Sequence, residues 1–416
     1  MAKNVVICCD GTGNQVEGNL SNVLKLFRIL QKNADQRVYY NPGVGTLATD
    51  DPWSRLKENF WAVFGLATGY GLDDEILDAY RFLVENYQDG DNIYLFGFSR
   101  GAYTVRALAG LINMVGLLPP DQVNIAGYAL TAYKRASERN DLNIAWQFGN
   151  ITGGRQVTIR FIGVWDTVAS LIVPRWDRLV PTLQTLPFTR QNKSVRAVRQ
   201  AISIDERRRL FRLNRWNEPQ PFVADRFDRA APHVDQDIKQ VWFAGAHSDV
   251  GGGYPENEAG LSKFPLCWMI DEAAAQGLKI NVSMKNHLVL GMPRPGATNQ
   301  YVAPNAAAEL HQSLTWAWRL IEWIPKRARY EEWPQRLKFA GWYIPCGEPR
   351  LIDDPPKPPA TPSPVAPRIH QSVLERMKLV PDYKPVNFPR HYDLEAWPYG
   401  EGPDAQGEGS IPPPVA

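Results

Sequence analysis

The chain has 416 residues, 44% of them apolar and 22% charged, an ordinary globular composition that supplies a sizeable core and excludes collagen, coiled coil and wholesale disorder. Its 46 basic and 44 acidic residues leave a net charge of +2, without the concentrated positive field of a nucleic-acid binder, so no nucleic-acid partner is expected. At about 150 residues per domain the length allows two domains, and one large α/β enzyme with insertions accounts for it equally well.

The first strand is expected at Val5 to Cys9, a short apolar run closed by Asp10. It is too short for the core of a secretory signal, so the expectation is a protein synthesised in the cytosol. Ser21 as N-cap opens a helix over Asn22 to Leu30, and Arg37 to Tyr40 reads as a second strand. Asp73 to Tyr87 carries Ile76, Leu77, Tyr80, Leu83, Val84 and Tyr87 at helical spacing. A third strand, Asn92 to Phe96, runs into a helix of small and apolar residues over Arg100 to Val115. The longest strongly apolar run, Ala107 to Leu118, is broken by Asn113 and falls short of the roughly 18 residues that cross a bilayer, so no transmembrane helix is expected. Thr158 to Val164 and Lys239 to Ala244 complete the strands. Such alternation of β-branched runs and amphipathic stretches predicts an α/β fold, a mostly parallel sheet with flanking helices.

Segments 45–70, 119–150 and 170–235 are left over as insertions that cap the site, within a catalytic domain spanning residues 1–344. Half of the 34 prolines fall in residues 345–416, among them Pro355, Pro356, Pro358, Pro359, Pro362, Pro364 and Pro367. Proline disfavours both helix and central strand, so this stretch is expected to be an extended tail wrapped on the domain, with one short helix near Gln371 to Met377 and a loose end. Cys8, Cys9, Cys267 and Cys346 have neither zinc spacing nor a disulfide framework, and they read as buried thiols of a reducing compartment.

The chemistry concentrates at strand ends. Gly97-Phe98-Ser99-Arg100-Gly101 is a G-x-S-x-G placed between strand and helix, where small residues at Gly97 and Gly101 let the backbone turn sharply and project the Ser99 hydroxyl. A serine at its free pKa is a poor nucleophile and needs a histidine base with an acid to orient it. In the order Ser, acid, His, the remaining strand ends offer Trp165-Asp166-Thr167 and Gly245-Ala246-His247-Ser248-Asp249. Asp166 is preferred over Asp249, which lies two residues from His247, and over Asp10. Val250-Gly251-Gly252-Gly253-Tyr254 is expected to turn tightly beneath His247. After the first strand, Asp10-Gly11-Thr12-Gly13-Asn14 could aim the N–H of Gly11 or Thr12 at an oxyanion, with a second donor from Arg100. A rival reading takes Asp10-Gly11-Thr12 as half of a phosphatase loop, but Cys8 stands where its nucleophilic aspartate would be. No metal or cofactor is called for.

Taken together, Val5 to Asn14, Gly97 to Tyr103, Gly163 to Val168 and Gly245 to Tyr254 resemble a widespread family of largely uncharacterised α/β-hydrolase domains that includes the first class of type VI secretion lipase effectors. The resemblance covers roughly residues 3 to 345. It implies a triad at Ser99, Asp166 and His247 and, from the effector members, phospholipase A activity on glycerophospholipids, with a secretion apparatus or an immunity protein as partner. Those effectors carry a large C-terminal membrane-binding region, whereas this chain has the Pro-rich tail.

The sequence therefore predicts a serine hydrolase of carboxylic esters of lipids, lipase- or phospholipase-like, with a soluble carboxylesterase or a non-catalytic hydrolase-fold binding protein as the alternatives. Trp316, Trp318, Trp323, Trp333 and Trp342, interleaved with Arg319, Lys326, Arg327, Arg329, Arg336 and Lys338, suit a segment that touches a membrane surface; a partly buried helix with solvated basic residues explains the same pattern. Arg207, Arg208, Arg209, Arg212 and Arg215 are expected to pair with nearby Asp205, Glu206 and Glu218.

Overall fold

The computed structural model describes residues 2–11, 20–43, 71–168, 172–173, 182–183, 186–224, 234–328, 333, 337–352 and 365–399. At its centre are eight strands: β1 (Asn4–Cys9), β2 (Gln36–Asn41), β3 (Asn92–Phe98), β4 (Ile159–Trp165), β5 (Val195–Ser203), β6 (Asp237–Phe243), β7 (Arg368–His370) and β8 (Asp393–Glu395). They form one sheet in the order β2-β1-β3-β4-β5-β6-β7-β8, and every neighbouring pair is parallel. Helices cover both faces, giving the α/β-hydrolase fold.

The period-two alternation of buried strands divides the core between the two faces. Val5, Ile7, Ile93, Leu95, Ile162 and Val164 point into one layer with α2 (Leu72–Asn86), α3 (Ser99–Val115), α4 (Ala126–Glu138) and α5 (Asn143–Ile151). Val6, Cys8, Tyr94, Phe96, Phe161 and Trp165 point into the other, with α1 (Asn22–Ile29), α7 (Lys263–Ala275) and α8 (Val282–Leu288). At α1 the expected Ser21 cap is in place, its hydroxyl accepting the Leu24 N–H at 3.0 Å.

Strand order reverses between β1 and β3: β2 lies to one side of β1, and all later strands lie to the other. In open parallel sheets the crevice outside the carboxyl ends of the strands at such a switch point is where ligands bind. Ser99 follows β3 and Asp10-Gly11 follow β1, so topology alone delivers the serine to that crevice.

The structure differs from the sequence expectations in several places. Residues 195–203, inside the segment expected to cap the site, form central strand β5. Residues 119–150 form a short 3-10 turn followed by α4 and α5, which pack on α2 and α3. The Pro-rich region contributes β7, α10 (Gln371–Leu379) and β8, so it extends the sheet as well as carrying the expected short helix. Cys346 is exposed, unlike the other three cysteines, which are buried. Segment 45–70 lies outside the described residues.

Candidate active site

Ser99 sits at the junction of β3 and α3 with a φ of 55°, the left-handed region that a residue with a side chain avoids at a cost of about 1–3 kcal/mol. Neighbouring glycines make the turn possible. A Cβ on Gly97 would stand 2.4 Å from the Gly101 carbonyl oxygen, and one on Gly101 would stand 2.2 Å from the Cys9 carbonyl oxygen. The elbow is thus pressed against the end of β1 so closely that only hydrogen fits at both positions. Arg100 turns its side chain away, into a buried ion pair with Glu75 of α2, whose other oxygen accepts from Thr104 at 2.9 Å.

His247 begins a short helix, α6 (His247–Gly251), after β6. Its imidazole lies between the Phe98 ring, with centroids 4.7 Å apart, and the Phe211 ring at 4.8 Å. Phe98, the residue before Ser99, presses on Gly251 so tightly that a Cβ there would fall 1.9 Å from its ring. The helix bearing the histidine is therefore packed directly on the serine elbow. Gly251 ends α6, Gly252 and Gly253 continue at positive φ with Gly252 bridged to Ser21, and Tyr254 after them stacks on His311 with centroids 3.5 Å apart.

Asp166 follows β4, fully buried and with a φ of 38°. Its Oδ2 lies 2.5 Å from His247 Nδ1, and its Oδ1 accepts the Ser203 N–H at 3.0 Å. The rival acids are engaged elsewhere. Asp249 Oδ2 accepts the Ala246 N–H at 2.9 Å and Oδ1 meets His311 Nδ1 at 2.7 Å, while Asp10 accepts from Tyr40 at 2.9 Å and from Ser21. Among the described residues no hydrogen bond joins Ser99 to His247; the two meet through Phe98.

Electrostatics around the imidazole favour a neutral base. Burial pushes the His247 pKa below its ordinary value, against the pull of Asp166. Burial alone would raise Asp166, but the guanidinium of Arg350 and then His247 hold it well below the usual carboxylate range. Glu206, also buried, accepts the His247 backbone N–H at 3.3 Å and pairs with Arg208 at 2.8 Å. Arg208 overcomes the cost of burial and holds Glu206 at about 2.

The expected oxyanion donors fare unequally. The Gly11 N–H donates to Asp10 Oδ1 at 2.7 Å and is thereby engaged, while Thr12 lies outside the described residues. Arg100 lies in the first turn of α3, directly after Ser99. Among the described residues no group of three or more His, Cys, Asp or Glu side chains could hold a metal ion. Sequence reasoning missed Glu206 as a neighbour of the histidine and missed Arg350 entirely; the contact between Arg350 and Asp166 spans 184 residues and leaves no local signal.

The structure thus brings together a parallel sheet, a serine turn at positive φ beside its switch point and a His–Asp contact after β4 and β6. The chain belongs to the family described as T6SS, phospholipase effector Tle1-like, catalytic domain, whose model matches residues 3–272. An uncharacterized protein of Saccharomyces cerevisiae, YEL023C, is 33% identical over 240 residues, covering 54% of this chain and 34% of that protein. Among solved structures, an uncharacterized protein from Pseudomonas aeruginosa matches at 19% identity and a TM-score of 0.36, over 68% of this chain and 47% of that one. The Tle1 effector bound to the VgrG spike of the type 6 secretion system matches at 20% identity and a TM-score of 0.30, over 63% and 53%. The chain thus spans between a third and about half of each relative.

Proposed function

We propose that the protein hydrolyses carboxylic esters of lipids by a Ser99–His247–Asp166 triad. The carrying observation is the 2.5 Å contact between His247 Nδ1 and Asp166 Oδ2 beside a serine held at positive φ. Ser99 Oγ attacks the ester carbonyl while His247 Nε2 takes its proton and then delivers it to the departing alcohol. Water, activated by the same imidazole, releases the acid from the acyl-enzyme and restores Ser99. Asp166 fixes the tautomer with the proton on Nδ1 and stabilises the imidazolium as it forms. The amides of Arg100 and Thr12 would hold the oxyanion, joined by Gly11 if Asp10 releases it. Catalytic hydrogen bonds often close only around substrate, which accommodates the missing Ser99–His247 bond.

The lipid part of this reading is supported by residues 316–344. Trp316 is 74% exposed, Trp323 66%, Leu337 96% and Phe339 87%, with exposed Arg319, Arg327 and Lys338 among them. Lys326 is buried against Glu348 at 2.5 Å and takes no part; Arg329 and Arg336 lie outside the described residues. The patch adjoins the site, since Trp318 of α9 (Trp316–Glu322) packs on Phe211 with centroids 5.5 Å apart and Phe211 packs on His247. Among the described residues no helix is long and apolar enough to cross a membrane. A secretion apparatus or an immunity protein as partner is proposed from the family alone.

The test is hydrolysis of mixed phospholipids and p-nitrophenyl esters by wild type and by Ser99→Ala. Wild-type turnover that the variant lacks is expected. Turnover that survives in Ser99→Ala, or none on any ester, overturns the proposal.

A further inference from the structure

The family model ends at residue 272, yet a residue far beyond it grips the acid beside His247. Arg350 donates from Nη1 to Asp166 Oδ1 at 2.5 Å and from Nη2 to Oδ2 at 3.1 Å, with both residues buried. The same guanidinium donates to the Ser203 carbonyl at 3.2 Å and the Phe211 carbonyl at 2.7 Å. Its backbone is tied down as well: Asn387 Nδ2 donates to the Arg350 carbonyl at 2.9 Å and to the Ile204 carbonyl at 3.0 Å. The planar fork is thus fixed at both ends between β5, the Phe211 turn and the C-terminal segment.

We propose that Arg350 is a positioning residue for hydrolysis: its fork sets the plane of the Asp166 carboxylate that meets His247 and offsets that carboxylate's charge. The inference rests on the triad reading above, and it makes the C-terminal segment part of the catalytic apparatus. An unscreened buried carboxylate against an imidazole draws a proton onto it, and a base already protonated cannot accept one from Ser99. The guanidinium restrains that pull while keeping the carboxylate ionised and oriented. The charged groups facing His247 are Asp166 after β4 and Glu206 with Arg208 after β5, with Arg350 acting through Asp166. On its own helix, Asp249 is turned to His311.

The experiment uses the full chain and compares Arg350→Gln and Arg350→Lys with wild type, on a soluble ester and by NMR titration of the His247 imidazole. In Arg350→Gln the uncompensated carboxylate favours imidazolium, so the acid limb of kcat/KM and the imidazole titration should both move up by about one pH unit. Turnover should fall by about 10²-fold at unchanged KM, the expected effect of a base displaced by about 1 Å. Arg350→Lys keeps the charge and loses the fork, so kcat should drop with the limb unmoved. A purely structural brace predicts a lower Tm with no movement of limb or titration, and that result overturns the proposal. So does wild-type kcat in Arg350→Lys, which decides the matter if Arg350→Gln fails to fold. If Ser99→Ala keeps full hydrolysis, the triad reading fails separately, and the imidazole titration still reports whether Arg350 controls His247.

Discussion

Ser99 holds its positive φ in a turn that closes because Gly97 and Gly101, two positions to either side, have no side chains to obstruct it. Replacing Gly101 by Ala sets a Cβ 2.2 Å from a backbone oxygen of β1, which cannot swing aside as a flexible side chain could. A loss on the order of 3 kcal/mol in urea denaturation is expected, and near wild-type stability would mean that the elbow is not pressed on β1. In kinetics, Ser99→Ala and His247→Ala should each remove nearly all ester hydrolysis without compounding in the double variant, because triad members act as a unit. Additive losses would argue for independent roles. Asp166→Asn should also cripple turnover, but Arg350 changes what else to expect of it: the variant leaves a buried guanidinium without its carboxylate, a defect of about 3–5 kcal/mol. The strand-end placement of Ser99, Asp166 and His247 could be read from the sequence because each is announced by the strand before it. Arg350 could not, since nothing in the residues around it refers to a carboxylate 184 positions away.

At the scale of elements, β1, β3, β4 and β6 were legible because apolar residues dominate them. β5 was hidden by its polar residues: Val195 to Ser203 carries Arg196, Arg199 and Gln200, and Arg199 is buried with Glu272 at 2.6 Å and Asp237 at 2.7 Å to neutralise it. That pairing is tertiary and has no counterpart in local pattern. β7 and β8 are three residues each and depend wholly on the sheet edge they join. Their attachment carries a pH dependence. His370, at the junction of β7 and α10, stacks on Phe243 with centroids 4.6 Å apart, and burial pushes its pKa down to about 3. The unfolded chain takes up this proton near pH 6.5 while the folded chain resists until about 3, so stability is complete above that window and falls as the pH drops through it. His247 is shifted in the same direction, and Asp166 and Glu206, held below their ordinary values, add further losses below about pH 4. His370→Asn, which keeps an N-cap for α10, should flatten the slope between pH 6.5 and 3 by about 1.4 kcal/mol per pH unit. An unchanged slope in denaturation across that range would show that His370 is not held neutral.

Across the whole molecule, the apolar surface is unevenly distributed. The core is closed on both faces of the sheet, yet Trp316, Trp323, Ile324, Leu337, Phe339 and Trp342 stand exposed within one stretch of the chain. Monomeric proteins seldom leave such a cluster open to water unless it meets a partner or a membrane. The sequence held two readings of this stretch, a partly buried helix with solvated basic residues and an interfacial segment, because tryptophan interleaved with arginine fits either. Trp316 and Trp323 face outward, while Trp318 lies half-buried against Phe211 and links the patch to His247, so vesicle binding is what distinguishes the readings. Trp316→Ala with Trp323→Ala should therefore weaken binding to anionic phospholipid vesicles by about a hundredfold or more, since each ring removed from a membrane forfeits about 1.5–3 kcal/mol of apolar burial. Hydrolysis of a soluble short-chain ester should be unaffected, because neither ring touches the imidazole. Binding should also decline as salt rises, as screening reaches the attraction between Arg319, Arg327 or Lys338 and the head groups. Vesicle sedimentation at two ionic strengths measures both effects, and unaltered binding by the double variant would leave a hydrolase that takes its ester from solution.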